Sequence, residues 1–182
     1  MPNATNVTAG KPMIGGAVHV APIGTALPTS TSAALNEAFV DLGYMSDAGV
    51  TNDISRETTD IKAWGGDTVM NIQTSKNDNW TFTMIEAKNI NVLKQVFGED
   101  NVTESNGAIT VKVNSKELDA HSWVFDMLLS DGSARRHVLP NAKITNIAEI
   151  TYADSSAVGY STTLAALPDS TGQTHYEYTS AS

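Results

Sequence analysis

The sequence predicts a mainly β fold: an antiparallel sandwich or barrel of about seven to nine strands, with one short α-helix, a long projecting loop and extended termini. Three observations predict it. Apolar and polar residues alternate at Trp80-Thr81-Phe82-Thr83-Met84, at Ile109-Thr110-Val111-Lys112-Val113 and from Trp123 to Leu129. That is the period of a strand with one face turned to a core. Helical spacing recurs in one place, at Ile90, Leu93, Val96 and Phe97. Charged residues make up 17% of the 182, below the usual share of about a quarter. Thr, Ser, Asn, Ala and Gly fill the difference, which suits strands with one wet face and many turns.

Residues 1–15 are small and polar and read as an N-terminal arm. Ala17-Val18-His19-Val20 is a short strand, stopped by Pro22 and Gly24. A loop through Pro28 leads to Ser32, which is placed to cap a short helical turn through Leu35 and Ala38. Phe39–Met45 is a strand. Ile54–Ala63 alternates mostly between polar residues, with Ser55, Glu57, Thr59, Ile61 and Ala63 on one face and Ile54, Arg56, Thr58, Asp60 and Lys62 on the other. A strand polar on both faces cannot cover a core, so it should project. Val69–Thr74 is its return arm, and Lys76-Asn77-Asp78-Asn79 reads as a turn.

Trp80, Phe82 and Met84 then face the core. The helix over Ile90–Phe97 stops at Gly98. Strands follow over Ile109–Val113 and Trp123–Leu129. Ser130-Asp131-Gly132-Ser133 is a hairpin turn with Arg135–Leu139 as its return. Ile144–Tyr152 and Ala157–Leu167 are the last strand candidates. Residues 168–182 are polar and read as a C-terminal arm. The chain is thus expected to be one domain over 1–167, with a projecting loop or hairpin at 47–79.

Composition and motifs bound the chemistry. There is no cysteine, which excludes disulfides and thiolate ligands. No stretch approaches the ~18 apolar residues of a membrane helix, so no membrane partner is expected. The net charge of −9 makes a poor general DNA binder, because phosphate contacts need Lys and Arg. It suits solubility, or a surface that nucleic acid must pass without sticking. No His-Glu-x-x-His, Gly-x-Ser-x-Gly or phosphate-binding glycine loop occurs, and Gly15-Gly16 and Gly65-Gly66 read as turn glycines.

His19, His121, His137 and His175 are far apart in sequence. Folding could gather two of them, with Asp126 as a further metal ligand or general base, or leave them as partly exposed strand residues. Asp47, Asn52 and Asp53 lack the one-three-five spacing of a calcium loop. No catalytic residue, cofactor or metal is therefore expected, and the chain does not read as an enzyme. Trp80 and Trp123 sit on apolar faces. Trp64, beside Gly65 and Gly66, is free to fix the loop base or to insert into a neighbouring subunit.

The stretch Asn36–Gly66 carries a family resemblance. Leu42-Gly43-Tyr44-Met45-Ser46-Asp47-Ala48-Gly49-Val50-Thr51, a charged stretch, then Ala63-Trp64-Gly65-Gly66 resembles the major tail tube proteins of long-tailed, siphovirus-type bacteriophages. The opening VHVAPIGTALPTSTSAALNEAF and the segment IEAKNINVLKQVFG fit it as well, and the resemblance spans roughly Gly15 to Gly159. It implies a β-sandwich flanked by a helix, and a structural virion protein. Six-fold rings of identical subunits would stack into a tube for viral DNA, which passes without specific binding.

The implied partners are copies of the chain, a tape-measure protein, and tail-tip initiator and tail-terminator proteins. The implied location is the virion tail, after synthesis in the bacterial host cytoplasm. Asp53, Arg56, Glu57, Asp60, Lys62 and Trp64 are the expected inter-ring contacts, and Asp126 and Glu149 the expected lumen-facing acids. Two alternatives remain: a related one, the inner tube of a type VI secretion system, and one of a different class, a carbohydrate-binding β-sandwich with exposed aromatics on a shared face or loop. A small hydrolase using His and Asp is a third.

Overall fold

The computed structural model describes all residues except 1, 3, 14, 15, 181 and 182. Gly15 of the first glycine doublet, and those parts of the two arms, lie outside the described residues. The strands, in chain order, are β1 Gly10–Pro12, β2 Val18–Pro22, β3 Val40–Asp41, β4 Met45–Lys62, β5 Thr68–Met84, β6 Val102–Ser105, β7 Ala108–Val111, β8 His121–Leu129, β9 Ala134–Ile147, β10 Tyr160–Ala166 and β11 Tyr176–Thr179. One α-helix, α1 Ile90–Phe97, joins them.

Nine strands form one antiparallel sheet in the order β3-β2-β8-β9-β10-β5-β4, with β1 on β8 and β11 on β9; β6 and β7 pair separately. The path has two ends, so the barrel alternative gives way to an open sheet that curls on itself. Trp80 on β5 stacks on Phe125 of β8 with ring centroids 5.2 Å apart, although β9 and β10 lie between those strands. The two halves of the sheet thus face each other across one core, as in a sandwich.

The expected core residues fill it: Trp80, Phe82, Met84, Trp123 and Phe125 are all at most 2% exposed. Helix α1 closes the core with Val92, Leu93 and Val96. It begins where the Asn89 side chain caps the Asn91 N–H, and ends at Gly98. A smaller cluster of Ala21, Phe39, Val124 and Val138 covers the other face of β8 and β9, under Leu27, Leu35, Tyr176 and Tyr178. Among the described residues no helix is long and apolar enough to cross a membrane.

Four local expectations are corrected. Residues 31–39 form no helix. The carbonyls of Ser30 and Ala33 instead accept from the Arg136 guanidinium, so they are unavailable to a helical ladder. The strand over Phe39–Met45 shrinks to Val40–Asp41, because Gly43 turns the chain at φ 72°. A Cβ there would sit 2.1 Å from the Glu86 carboxylate, which accepts the Tyr44 N–H. Ile109–Val113 is not a core strand. Ala108–Val111 pairs with Val102–Ser105 around an Asn106-Gly107 turn, and Val113 is 78% exposed. Lastly, Arg135–Leu139 and Ile144–Tyr152 are not two strands. β9 runs unbroken through Pro140 to Ile147, with a register shift opposite Pro140 that spares the missing N–H.

Candidate functional site

β4 and β5 form a hairpin whose root belongs to the sheet and whose distal part does not. β5 pairs with β10 only from Asn79 to Met84. From Ile54↔Asp78 out to Lys62↔Thr68 the two strands pair only with each other. At about 3.3 Å per residue this ribbon projects about 30 Å beyond the sheet. The residues Lys76–Asn79 are no turn but part of one continuous strand. The turn is at the tip, where Gly66 N–H donates to the Ala63 carbonyl at 3.0 Å. Gly65 supplies the positive φ (112°) that the third position of such a turn requires. This leaves Trp64 at the second position, 106% exposed.

Directly opposed residues share a face. Asp53 and Glu57 therefore lie on one face of the ribbon; Arg56, Asp60 and Lys62 lie on the other. All five are exposed, and none makes an ion pair among the described residues. Asp60 accepts from Asn71 Nδ2 at 2.6 Å. Arg56 opposes Lys76, a repulsive pair.

The sequence reading missed an apolar strip. Ile61 opposes Met70, and Ile72 opposes Thr59 two residues on, so Ile61, Met70 and Ile72 share the face of Glu57. They are 44%, 55% and 43% exposed. The signal for it was present: Met70 and Ile72 are the apolar positions of the return arm, in register with Ile61.

The root of the ribbon is held by a buried polar cluster. Asp78 is 3% exposed and accepts from Trp80 Nε1 (3.0 Å), Asn52 Nδ2 (2.8 Å) and Thr174 Oγ1 (2.6 Å). His175 Nδ1 lies 2.5 Å from Oδ2, the oxygen that also accepts from Thr174. Burial pushes the Asp78 carboxyl up, but the hydrogen bonds from Thr174, His175 and Asn52 outweigh it and hold the group below the usual carboxylate range. Beside it, His137 on β9 directly opposes Glu177 on β11.

Burial, partly opposed by Glu177, pushes the His137 imidazole down to about 4. The ring is neutral near pH 7, so its 3.5 Å approach to Glu177 is not an ion pair. Glu177 pairs through its other oxygen with Arg135. Burial pushes the Glu177 carboxyl up, and Arg135 with the two imidazoles brings it below its usual value.

Of the four histidines, folding gathers His137 and His175, with ring centroids 6.4 Å apart. Asp126 does not join them. It is 5% exposed, and both its oxygens accept from Arg136, at 2.6 and 3.0 Å. That neutralised, buried carboxylate corrects its expected place as a free acid on a surface. Glu149 is exposed just beyond β9. Asn52 and Asp53, adjacent on a strand, point to opposite faces and share no ion. Trp80 and Trp123 are in the core, so the three tryptophans make no sugar platform.

A family model described as phage tail tube protein matches residues 3–181. Among solved structures the chain is similar to one in the cryo-EM structure of the anti-feeding prophage cap. There the identity is 11%, the coverage 99% of this chain and 100% of that one, and the TM-score 0.49. It is also similar to a chain of an extracellular contractile injection system's sheath–tube complex in the extended state, at 11% identity, 93% of each chain and TM-score 0.48. A third, from that system's sheath/tube terminator, has 10% identity, 94% and 98% coverage and TM-score 0.44. Similarity this distant says nothing of what the chain does. No curated protein matches it.

Proposed function

The chain belongs to the phage tail tube protein family, a structural component of the virion tail rather than an enzyme, and from that premise we propose that it is the repeating subunit of a long-tailed phage's tail tube. Six-fold rings stack into a hollow conduit for viral DNA. The observation that supports this reading is the ribbon over residues 54–78, which leaves the sheet with an apolar strip and a fully exposed Trp64. A two-stranded ribbon alone is marginal in water. Contact with a neighbouring copy offsets that weakness.

Ring contacts must close, whereas contacts along the tube axis stay open and propagate. The ribbon makes the axial contact, through Trp64, Ile61, Met70 and Ile72, flanked by Asp53, Arg56, Glu57, Asp60 and Lys62. The outer edge of β4 is unpaired among the described residues and is available for strand addition around the ring. The net charge of −9 repels passing phosphate, with Glu149 among the lumen acids. We assign residues 1–167 to one domain, with an N-terminal arm at 1–15 that docks on β8 through β1 and a C-terminal arm at 168–182 that docks on β9 through β11. The further partners are tape-measure, initiator and terminator proteins, met after synthesis in the host cytoplasm.

Negative-stain microscopy of concentrated protein tests this. Tubes or six-fold rings are expected. Monomers at every concentration, together with specific binding on a glycan array, would favour the carbohydrate module instead. Hydrogen exchange adds a second arm: amides of residues 54–78 exchange quickly in the monomer and slowly in the assembly.

A further inference from the structure

We propose that His137, His175 and Glu177 bind one divalent transition-metal ion, zinc by the chemistry of the donors, at the root of the ribbon. Two imidazole nitrogens and one carboxylate oxygen are a common zinc donor set. One donor atom from each residue lies within 4.8 Å of the others. Glu177 Oε1 is 3.5 Å from His137 Nδ1 and 3.5 Å from His175 Nε2. A tetrahedral ion with bonds of about 2.0–2.1 Å needs edges of about 3.3 Å, so two of the three edges are already close to length.

The backbone builds this arrangement. His175 immediately precedes β11 and Glu177 is its second residue; their side chains meet at 3.5 Å, and Glu177 is the cross-strand partner of His137.

Two independent features point to a ligand rather than to a chance cluster. His137 Nδ1 is buried without a hydrogen-bond partner, on a side chain only 8% exposed. A buried, unpaired ring nitrogen is costly unless something occupies it. His175 offers Nε2 to the centre while its Nδ1 contacts the Asp78 carboxylate. That carboxylate–histidine arrangement fixes the tautomer and raises the basicity of a metal-bound imidazole. The charges also fit. Two carboxylates, Asp78 and Glu177, face one guanidinium, Arg135, around the site, so a cation meets more acidic than basic side chains. Arg135 holds the far oxygen of Glu177 and leaves Oε1 free. His137 and Glu177 line an open pocket with Thr8, Asn52, Met127 and Arg135, from which water would complete the shell.

Such an ion would tie β11 to β9 directly and to β5 through Asp78. The test uses the full chain, stripped with chelator and titrated with zinc chloride. One ion per chain is expected, with a melting temperature about 5–10 °C higher at a hundredfold excess over Kd. Cobalt(II) in place of zinc should give the intense visible bands of a tetrahedral centre. Glu177→Gln and His175→Gln should abolish the one-to-one binding, and Asp78→Asn should weaken it about 10- to 100-fold. Glu177 is partly exposed, so its variant folds whether or not the core histidines tolerate change. Absence of stoichiometric binding to the wild type, an octahedral cobalt spectrum, or unchanged affinity in Glu177→Gln would overturn the proposal.

Discussion

Replacing Trp64 with alanine separates assembly from folding. The indole is fully exposed on the tip turn, so its removal takes no burial from the isolated subunit. A buried aromatic side chain withdraws about 150–250 Å² from water, which at about 25 cal/mol per Å² is about 4–6 kcal/mol. Incomplete burial and ordering remove about half of that. The remaining loss of about 2–3 kcal/mol is in the range of an interface hot spot and raises the critical concentration for assembly roughly 30- to 150-fold. The dilute subunit's melting temperature stays within about 2 °C, since exposed substitutions shift stability by about 0.5 kcal/mol or less. Sedimentation of assembled material against total concentration, with thermal melts of the dilute subunit, measures both. An unchanged critical concentration would show that Trp64 is not buried in the assembly. A melting temperature that fell as far as assembly did would make the residue structural and refute the reasoning.

Two further perturbations test the fold around this ribbon. Asp126→Ala strands the buried Arg136 guanidinium, at a cost of about 3–5 kcal/mol; thermal melts should drop by about 6–20 °C, and a drop under about 2 °C would mean the pair is dispensable. Asp169 is held down to about 2 by hydrogen bonds from Tyr176 and Thr171. Its folded value is depressed, so its stabilising contribution is full above the unfolded value of 3.8 and is lost as pH falls through about 2. Asp169→Asn should flatten the dependence of melting temperature on pH between about 4 and 2; a wild-type profile in the variant would exclude that group.

What could be read from the chain was local. The alternation at Trp80, Phe82 and Met84, the helix over Ile90–Phe97 with its stop at Gly98 and the turn at Ser130–Ser133 all depend on neighbours within a few residues, and all hold. The ribbon's polar alternation belongs with them. The root cluster does not, because Asp78 meets Thr174 and His175 from 96 and 97 residues away. Read locally, Lys76-Asn77-Asp78-Asn79 has turn residues; in the fold those same polar groups find long-range partners, which override the local preference. Asp126 was misread for a similar reason: a lone acid on a strand suggests exposure. Yet Asp126 and Arg136 are equally far from Asp131 in the turn, and the register of that hairpin sets them opposite each other. The pairing was therefore recoverable from the turn and strand period together.

The ribbon's root also imposes an order in time. During synthesis Asp78 emerges with Trp80 and Asn52 nearby, but Thr174, His175 and Glu177 follow only after most of the sheet has been made. A chain interrupted before them still has both arms of the ribbon. It lacks the donors that fix its base and the strand that covers β9. In a polymer, one badly aimed subunit spoils the step that follows it. The last fastening of the ribbon's base comes from 96 and 97 residues beyond Asp78, so the ribbon takes its fixed aim only once that distant segment has docked.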